Sequence, residues 1–124
     1  MAGWSSEELS RIEAADELEV ASLRSDGTPR NPTTIWVVRL GDDLYVRAVN
    51  GPTGTWFRGT QERHEGHIRS GSVEKEVMFD EVDHGLDDQI DAAYRSKYRR
   101  DAPSIVDSVL TPEARAATLE LVPR

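Results

Sequence analysis

The sequence predicts an α+β domain of mainly antiparallel strands that curl into a small barrel, and three observations carry that expectation. Six segments have the β-branched, aromatic or alternating composition of strands, with turn residues between them. Helical spacing is concentrated at the front of the chain and before the last strand, not in the regular strand-helix alternation of a parallel sheet. The segment Thr33-Thr34-Ile35-Trp36-Val37-Val38-Arg39-Leu40 is apolar on both faces at its centre. It therefore needs a barrel interior on one side and a helix or a second subunit on the other. Closing the sheet also removes its exposed edges.

The elements follow in order. Ser5 and Glu8 fit a capping box, and Leu9 with Ile12 mark the apolar face of a helix that ends near Asp16. Leu18 to Leu23 reads as a strand, with Ser25-Asp26-Gly27 as its turn. Asn31-Pro32 opens the strand from Thr33 to Leu40, and Gly41-Asp42-Asp43 turns it into Leu44 to Val49, a hairpin placed at the centre of the sheet. After the loop Asn50-Gly51-Pro52-Thr53-Gly54 comes a brief helix over about Thr55 to Arg63. Gly66 to Gly71 reads as a short strand, and Val73, Val77 and Phe79 alternate with acids in a half-solvated one that runs to about Val82. Leu86, Ile90, Ala93, Tyr94, Lys97 and Tyr98 line one face of the clearest helix, with acids at its start and bases at its end, as the helix dipole favours. A short helix after Pro103, a further turn capped by Thr111 with Pro112 at its first position, and a strand from Thr118 to Val122 complete the chain.

With 124 residues, a single domain spanning 1–124 is expected, large enough for its own core. No stretch approaches the roughly 18 consecutive apolar residues of a membrane helix, and the start at Met1 lacks the pattern of a secretory leader, so the expected location is the cytoplasm. The absence of cysteine excludes disulfides, a thiolate nucleophile and Cys-ligated metal. A net charge of -8 opposes general binding to nucleic acid, which favours a coherent basic face, but leaves room for a small anionic ligand. The basic cluster Arg95, Lys97, Arg99 and Arg100 reads as a solvated helix end.

Few chemical motifs are present. His64 and His67 stand three apart around Gly66 and read as solvated loop histidines, not as metal ligands. No Gly-x-Ser-x-Gly elbow, Walker loop or Gly-x-Gly-x-x-Gly fingerprint occurs. A different phosphate site is foreshadowed: Arg30, Thr33 and Thr34 start one strand of the hairpin, while Arg47, Asn50 and the glycine loop end the other. Antiparallel pairing would bring these ends together, with Trp56 and Phe57 as an aromatic wall. The same residues read equally as surface arginines and a core tryptophan.

The run Leu23-Arg24-Ser25-Asp26-Gly27-Thr28-Pro29-Arg30-Asn31-Pro32-Thr33, then Asp43 to Gly51 and Trp56, resembles the first half of the FMN-binding split β-barrels, which include pyridoxamine 5′-phosphate oxidase and the deazaflavin-dependent nitroreductases. Thr33 to Val38, Asn50-Gly51-Pro52, Trp56-Phe57-Arg58, Ile90 to Arg95 and Lys97-Tyr98 further resemble a bacterial family of unknown function within that superfamily. The resemblance implies a homodimer of six-stranded split barrels with FMN or a deazaflavin at the interface. It implies that Arg30, Thr33, Arg47, Asn50, Gly51 and Trp56 bind the cofactor, with its phosphate held by the second- and third-strand region. It departs where deazaflavin-binding relatives place a serine and a basic residue before the glycine; here Val49 and Asn50 stand. The implied function is that of a flavin- or deazaflavin-binding protein, an oxidoreductase on a small molecule. The alternative is a cofactor-free split barrel that binds another small anion or a protein.

Overall fold

In the computed structural model, which describes residues 3–124, the expected strand from Thr33 to Leu40 is interrupted at Trp36, and that interruption closes the sheet. Met1 and Ala2, where the reading of a leaderless N-terminus begins, lie outside the described residues. The strands are β1 (Leu18–Ser22), β2 (Thr33–Ile35), β3 (Val37–Leu40), β4 (Asp43–Arg47), β5 (Glu65–Ser70), β6 (Val73–Glu81) and β7 (Thr118–Pro123). The helices are α1 (Ser6–Ala14), α2 (Thr55–Arg63), α3 (Asp87–Lys97), α4 (Pro103–Asp107) and α5 (Pro112–Ala116).

All pairings between these strands are antiparallel, in the order β2-β1-β5-β6-β7-β4-β3. The two ends of that order are consecutive pieces of one chain segment, with Trp36 alone between them. Thr33 pairs with Val20 of β1, whereas Val37 pairs with Val46 of β4, so the segment changes partners at the tryptophan and bridges both edges of a nearly closed barrel. Counted as one interrupted strand, it restores the six expected; counted by pairing, there are seven. The hairpin is correspondingly shorter than its expected span, pairing Val37–Leu40 with residues 43–46, and it lies at one end of the strand order and not at its centre.

Strand alternation sorts the side chains between two cores. Val37, Leu44, Val46, Val77, Phe79, Leu119 and Leu121 fill the barrel interior, closed by Leu9 and Ile12 of α1. Val38 and Tyr45 face the other way, into a second cluster with Ile90 and Tyr94 of α3, its C-cap Tyr98, and Val106 and Val109. Helix α3 is thus the cover that the two-sided apolar segment required. The capping box at α1 is complete: the Glu8 amide donates to Ser5 Oγ at 3.1 Å, and the Ser5 amide to the Glu8 carboxylate at 2.9 Å. Among the described residues no helix is long and apolar enough to cross a membrane.

Candidate functional site

A cavity of about 760 Å³ opens where the barrel is split, between residues 30–36, the end of β4, the start of α2 and the α4 region. Its placement follows from local sequence. Gly51 has φ of +76° and sits against α5, where an added Cβ would come within 3.0 Å of the Glu113 Cβ. Glycine therefore lets this loop dock on α5 with Asn50 and Gly54 on the cavity side. On α2, an added Cβ at Gly59 would meet Ser22 Oγ at 2.5 Å, so the missing side chain seats α2 closely against β1.

Arg30, Thr33, Asn50 and Trp56 all line this cavity, and Gly51 lies behind it. Arg47 borders it, but its side chain is 0 % exposed and its guanidinium is engaged elsewhere. It forms an ion pair with Asp91 and donates to Thr118 Oγ1 at 3.0 Å and to the Val109 carbonyl at 2.9 Å. The guanidinium of Arg47 therefore does not meet that of Arg30 at the cavity: it balances a carboxylate buried on α3. Arg115 pairs with the same Asp91. Burial alone would raise the Asp91 carboxyl, but hydrogen bonds from Arg115 and Arg47 outweigh it and hold the group below the ordinary carboxylate range.

Arg30 remains at the rim, with its side chain 28 % exposed. It donates to the Leu23 carbonyl at 3.0 Å and pairs with Glu62. Together with Thr55, Arg58, Gly59 and Glu62 it lines a smaller cleft of about 310 Å³ that adjoins the large cavity through Arg30 and Thr55. Glu62 is occupied by Arg30, so the exposed Arg58 has no acidic partner in this cleft among the described residues. Helix α2 also begins here. Its N-cap Gly54 supplies no side-chain hydrogen bond, and the first bond into the cap runs from the Arg58 amide to the Gly54 carbonyl at 3.0 Å. The amides of Thr55, Trp56 and Phe57, ahead of it, are left for other acceptors, and the helix dipole makes that end attractive to negative charge.

Two tryptophans border the cavity from different elements. Trp56 packs against the barrel core, with its ring edge-on to Phe57 at a centroid distance of 6.3 Å. Trp36 is half-buried, stacked on Tyr98 at 3.8 Å with an interplanar angle of 4°. It also borders a second cavity of about 730 Å³ lined by Asp16, Lys97, Arg99 and Arg100. Lys97 departs from the expected solvated helix end: its Nζ donates to the Val37 carbonyl at 2.7 Å, and burial pushes its pKa down to about 8. Arg95, Arg99 and Arg100 are exposed.

The histidines are dispersed. His64 ends α2 in a left-handed conformation, His67 lies on β5 and not in a loop and meets Glu74 at 3.0 Å, and His84 meets Asp87 at 3.2 Å. Among the described residues no group of three His, Asp or Glu side chains could hold a metal ion.

Three features escaped the sequence reading. Asp91 follows Asp87 by four residues on the helix face that carries Tyr94 and Tyr98, and a carboxylate on an apolar face signals a buried cationic partner. Arg58 falls in the first turn of a helix whose start was already expected beside the loop. The exposure of Trp36 had no sequence signal, since it depends on where the strand changes partners.

The family described as "Uncharacterized protein conserved in bacteria (DUF2255)" matches residues 8–121. No curated protein matches the chain in sequence. Solved structures share its fold at low identity. HutZ, the heme storage protein from Vibrio cholerae, is 14 % identical with a TM-score of 0.64, over 99 % of this chain and 92 % of its own. An F420 reductase is 14 % identical with a TM-score of 0.61, over 93 % of this chain and 90 % of its own. The FAD and heme binding protein from Mycobacterium smegmatis is 17 % identical with a TM-score of 0.58, over 97 % of this chain and 65 % of its own.

Proposed function

Because the chain belongs to the bacterial family DUF2255 and has the split-barrel fold, we propose that its large cavity binds a flavin or deazaflavin and serves in redox chemistry on a small molecule. One observation carries this reading: a single cavity gathers Arg30, Thr33, Asn50 and Trp56 from separate segments, beside a cleft that offers unpaired positive charge. The chemistry of the lining suits a planar ring with a phosphate tail. Trp36 and Trp56 give aromatic walls, Thr33 and Asn50 give polar groups for the ring or sugar chain, and Arg58, Thr55 and the first-turn amides of α2 suit a phosphate. A bound flavin supplies electron and hydride transfer; the protein supplies binding, orientation and electrostatics.

By their printed names the solved neighbours include a heme storage protein, an F420 reductase and an FAD and heme binding protein. The two tryptophans and the polar Thr33 and Asn50 of this lining support the flavin type. Val49 and Ile105 line the same cavity and are 49 % and 51 % exposed. Such uncovered apolar side chains at a site's rim suit a second copy that closes over it, and the proposed assembly is a two-fold homodimer.

The test is the visible absorbance of freshly purified protein and mass spectrometry of released small molecules, then calorimetric titration with FMN, riboflavin and a deazaflavin. A chromophore or a saturable flavin affinity supports the reading. Neither, across all three ligands, would reject it in favour of a cofactor-free anion-binding barrel.

A further inference from the structure

We infer that Trp36 is the platform on which a planar fused-ring ligand stacks in the large cavity, and that Tyr98 holds it there from behind. This rests on the ring-binding reading of the cavity and names the residue that would recognise the ring.

The argument starts from the break in the strand. Trp36 lies between β2 and β3, where the segment leaves β1 for β4, and belongs to neither strand. A tryptophan there is not obliged to alternate with its neighbours into a core, and this one is half-buried. One indole face is fully used, since Tyr98 lies parallel to it at 3.8 Å. The residue also lines the large cavity, and the indole face opposite Tyr98 is the one left for a ligand to stack on.

Tyr98 is itself immobilised. Its hydroxyl accepts from the Val37 amide at 3.2 Å and donates to the Asp16 carbonyl at 2.8 Å. Tyr94 stacks beside it at 6.1 Å, and the Lys97 ammonium lies 5.3 Å from its ring centroid. The rotamer freedom of Trp36 is thus already restricted without a ligand, and a ring that stacks on it forfeits little further entropy. Each tryptophan packs against a core cluster, but Trp56 meets Phe57 edge-on and has no parallel ring behind it. The class of ligand follows from the geometry, a flat and extended aromatic ring such as an isoalloxazine or its deaza form.

The experiment compares Trp36→Leu, which keeps apolar bulk, and Trp36→Phe, which keeps an aromatic face, with the native protein. Riboflavin and FMN are titrated against each. Loss of ring stacking should weaken both ligands by the same factor, about tenfold in Trp36→Leu, with most of the affinity restored in Trp36→Phe. In a Trp4→Phe, Trp56→Phe background, which leaves Trp36 as the sole indole and is shown by calorimetry still to bind riboflavin, the ligand should quench the fluorescence saturably; this readout holds even if the leucine variant does not fold. Native binding with no such quenching, or with unchanged affinity in Trp36→Leu, would overturn the platform and leave the cavity reading standing. No binding of either flavin to the native protein would reject both.

Discussion

Arg47 of β4 and Asp91 of α3 form a fully enclosed ion pair, which joins the barrel wall to the helix that covers it. Arg115 of α5 shares the carboxylate, so one acidic group ties three elements together. Such a pair adds little over a well-packed apolar contact, but removing one partner strands the other charge away from water. Asp91→Asn should therefore destabilise the fold by about 3 to 5 kcal/mol, as measured by urea unfolding. The contribution is also pH-dependent. The folded-state carboxyl is held below its ordinary value of 3.8, so the folded state binds fewer protons there, and stability is lost as pH falls from about that value through the folded pKa. Acid unfolding of Asp91→Asn should lack this loss, and an unchanged acid limb in the variant would contradict it.

How much of this was legible in the sequence depended on the range of the interaction. The capping box at Ser5 and Glu8, the helix over Thr55–Arg63 and the proline-started turn at Pro112 are decided within a few residues, and the fold places them as expected. The division of Thr33–Leu40 is decided by β1 and β4, which lie on either side of it in the closed barrel, and no local preference reports that. The same holds at the site. Arg30, Thr33, Asn50 and Trp56 could be grouped because strand ends and a glycine loop meet. The burial of Arg47 has no local signal because its partner, Asp91, is 44 residues away on a helix that folds back over β4.

Lys97 should make stability rise in mild alkali. Burial lowers its folded-state pKa to about 8, against the nearby charges of Asp16 and Glu13, while an unfolded lysine titrates near 10.4. Between these values the unfolded chain binds more protons, so unfolding becomes harder as pH increases from about 8 to about 10. Above that, tyrosine ionisation opposes the gain, because folding raises the pKa values of Tyr45, Tyr94 and Tyr98. Melting curves from pH 8 to 10 should show the rise in the native protein and not in Lys97→Met.

Arg58 should discriminate between ligands by their phosphate. Among the described residues its guanidinium has no acidic partner in the small cleft, whereas Arg30 must share itself with Glu62. Arg58→Ala should weaken FMN by about ten- to a hundredfold, the range for a hydrogen bond to a charged group, and leave riboflavin unaffected. Its melting temperature without ligand should match the native one, since the residue is exposed. Equal losses for FMN and riboflavin would move the phosphate away from α2.

The apolar rim should govern assembly. Val49 and Ile105 are about half exposed although both border the cavity, and the protomer offers nothing to cover them. A second copy related by two-fold symmetry would remove their remaining apolar surface from water, a gain of roughly 0.7 to 1.5 kcal/mol per side chain, about half the full-burial value. Replacing both by aspartate would bring like charges into a two-fold contact and should shift the mass measured by light scattering from dimer to monomer at micromolar concentration. Because the same side chains face the ligand space, flavin affinity should fall in the monomeric variant by more than their direct contacts explain. A native protein that already scatters as a monomer would refute the assembly, and the cavity would then have to bind its ligand without a partner.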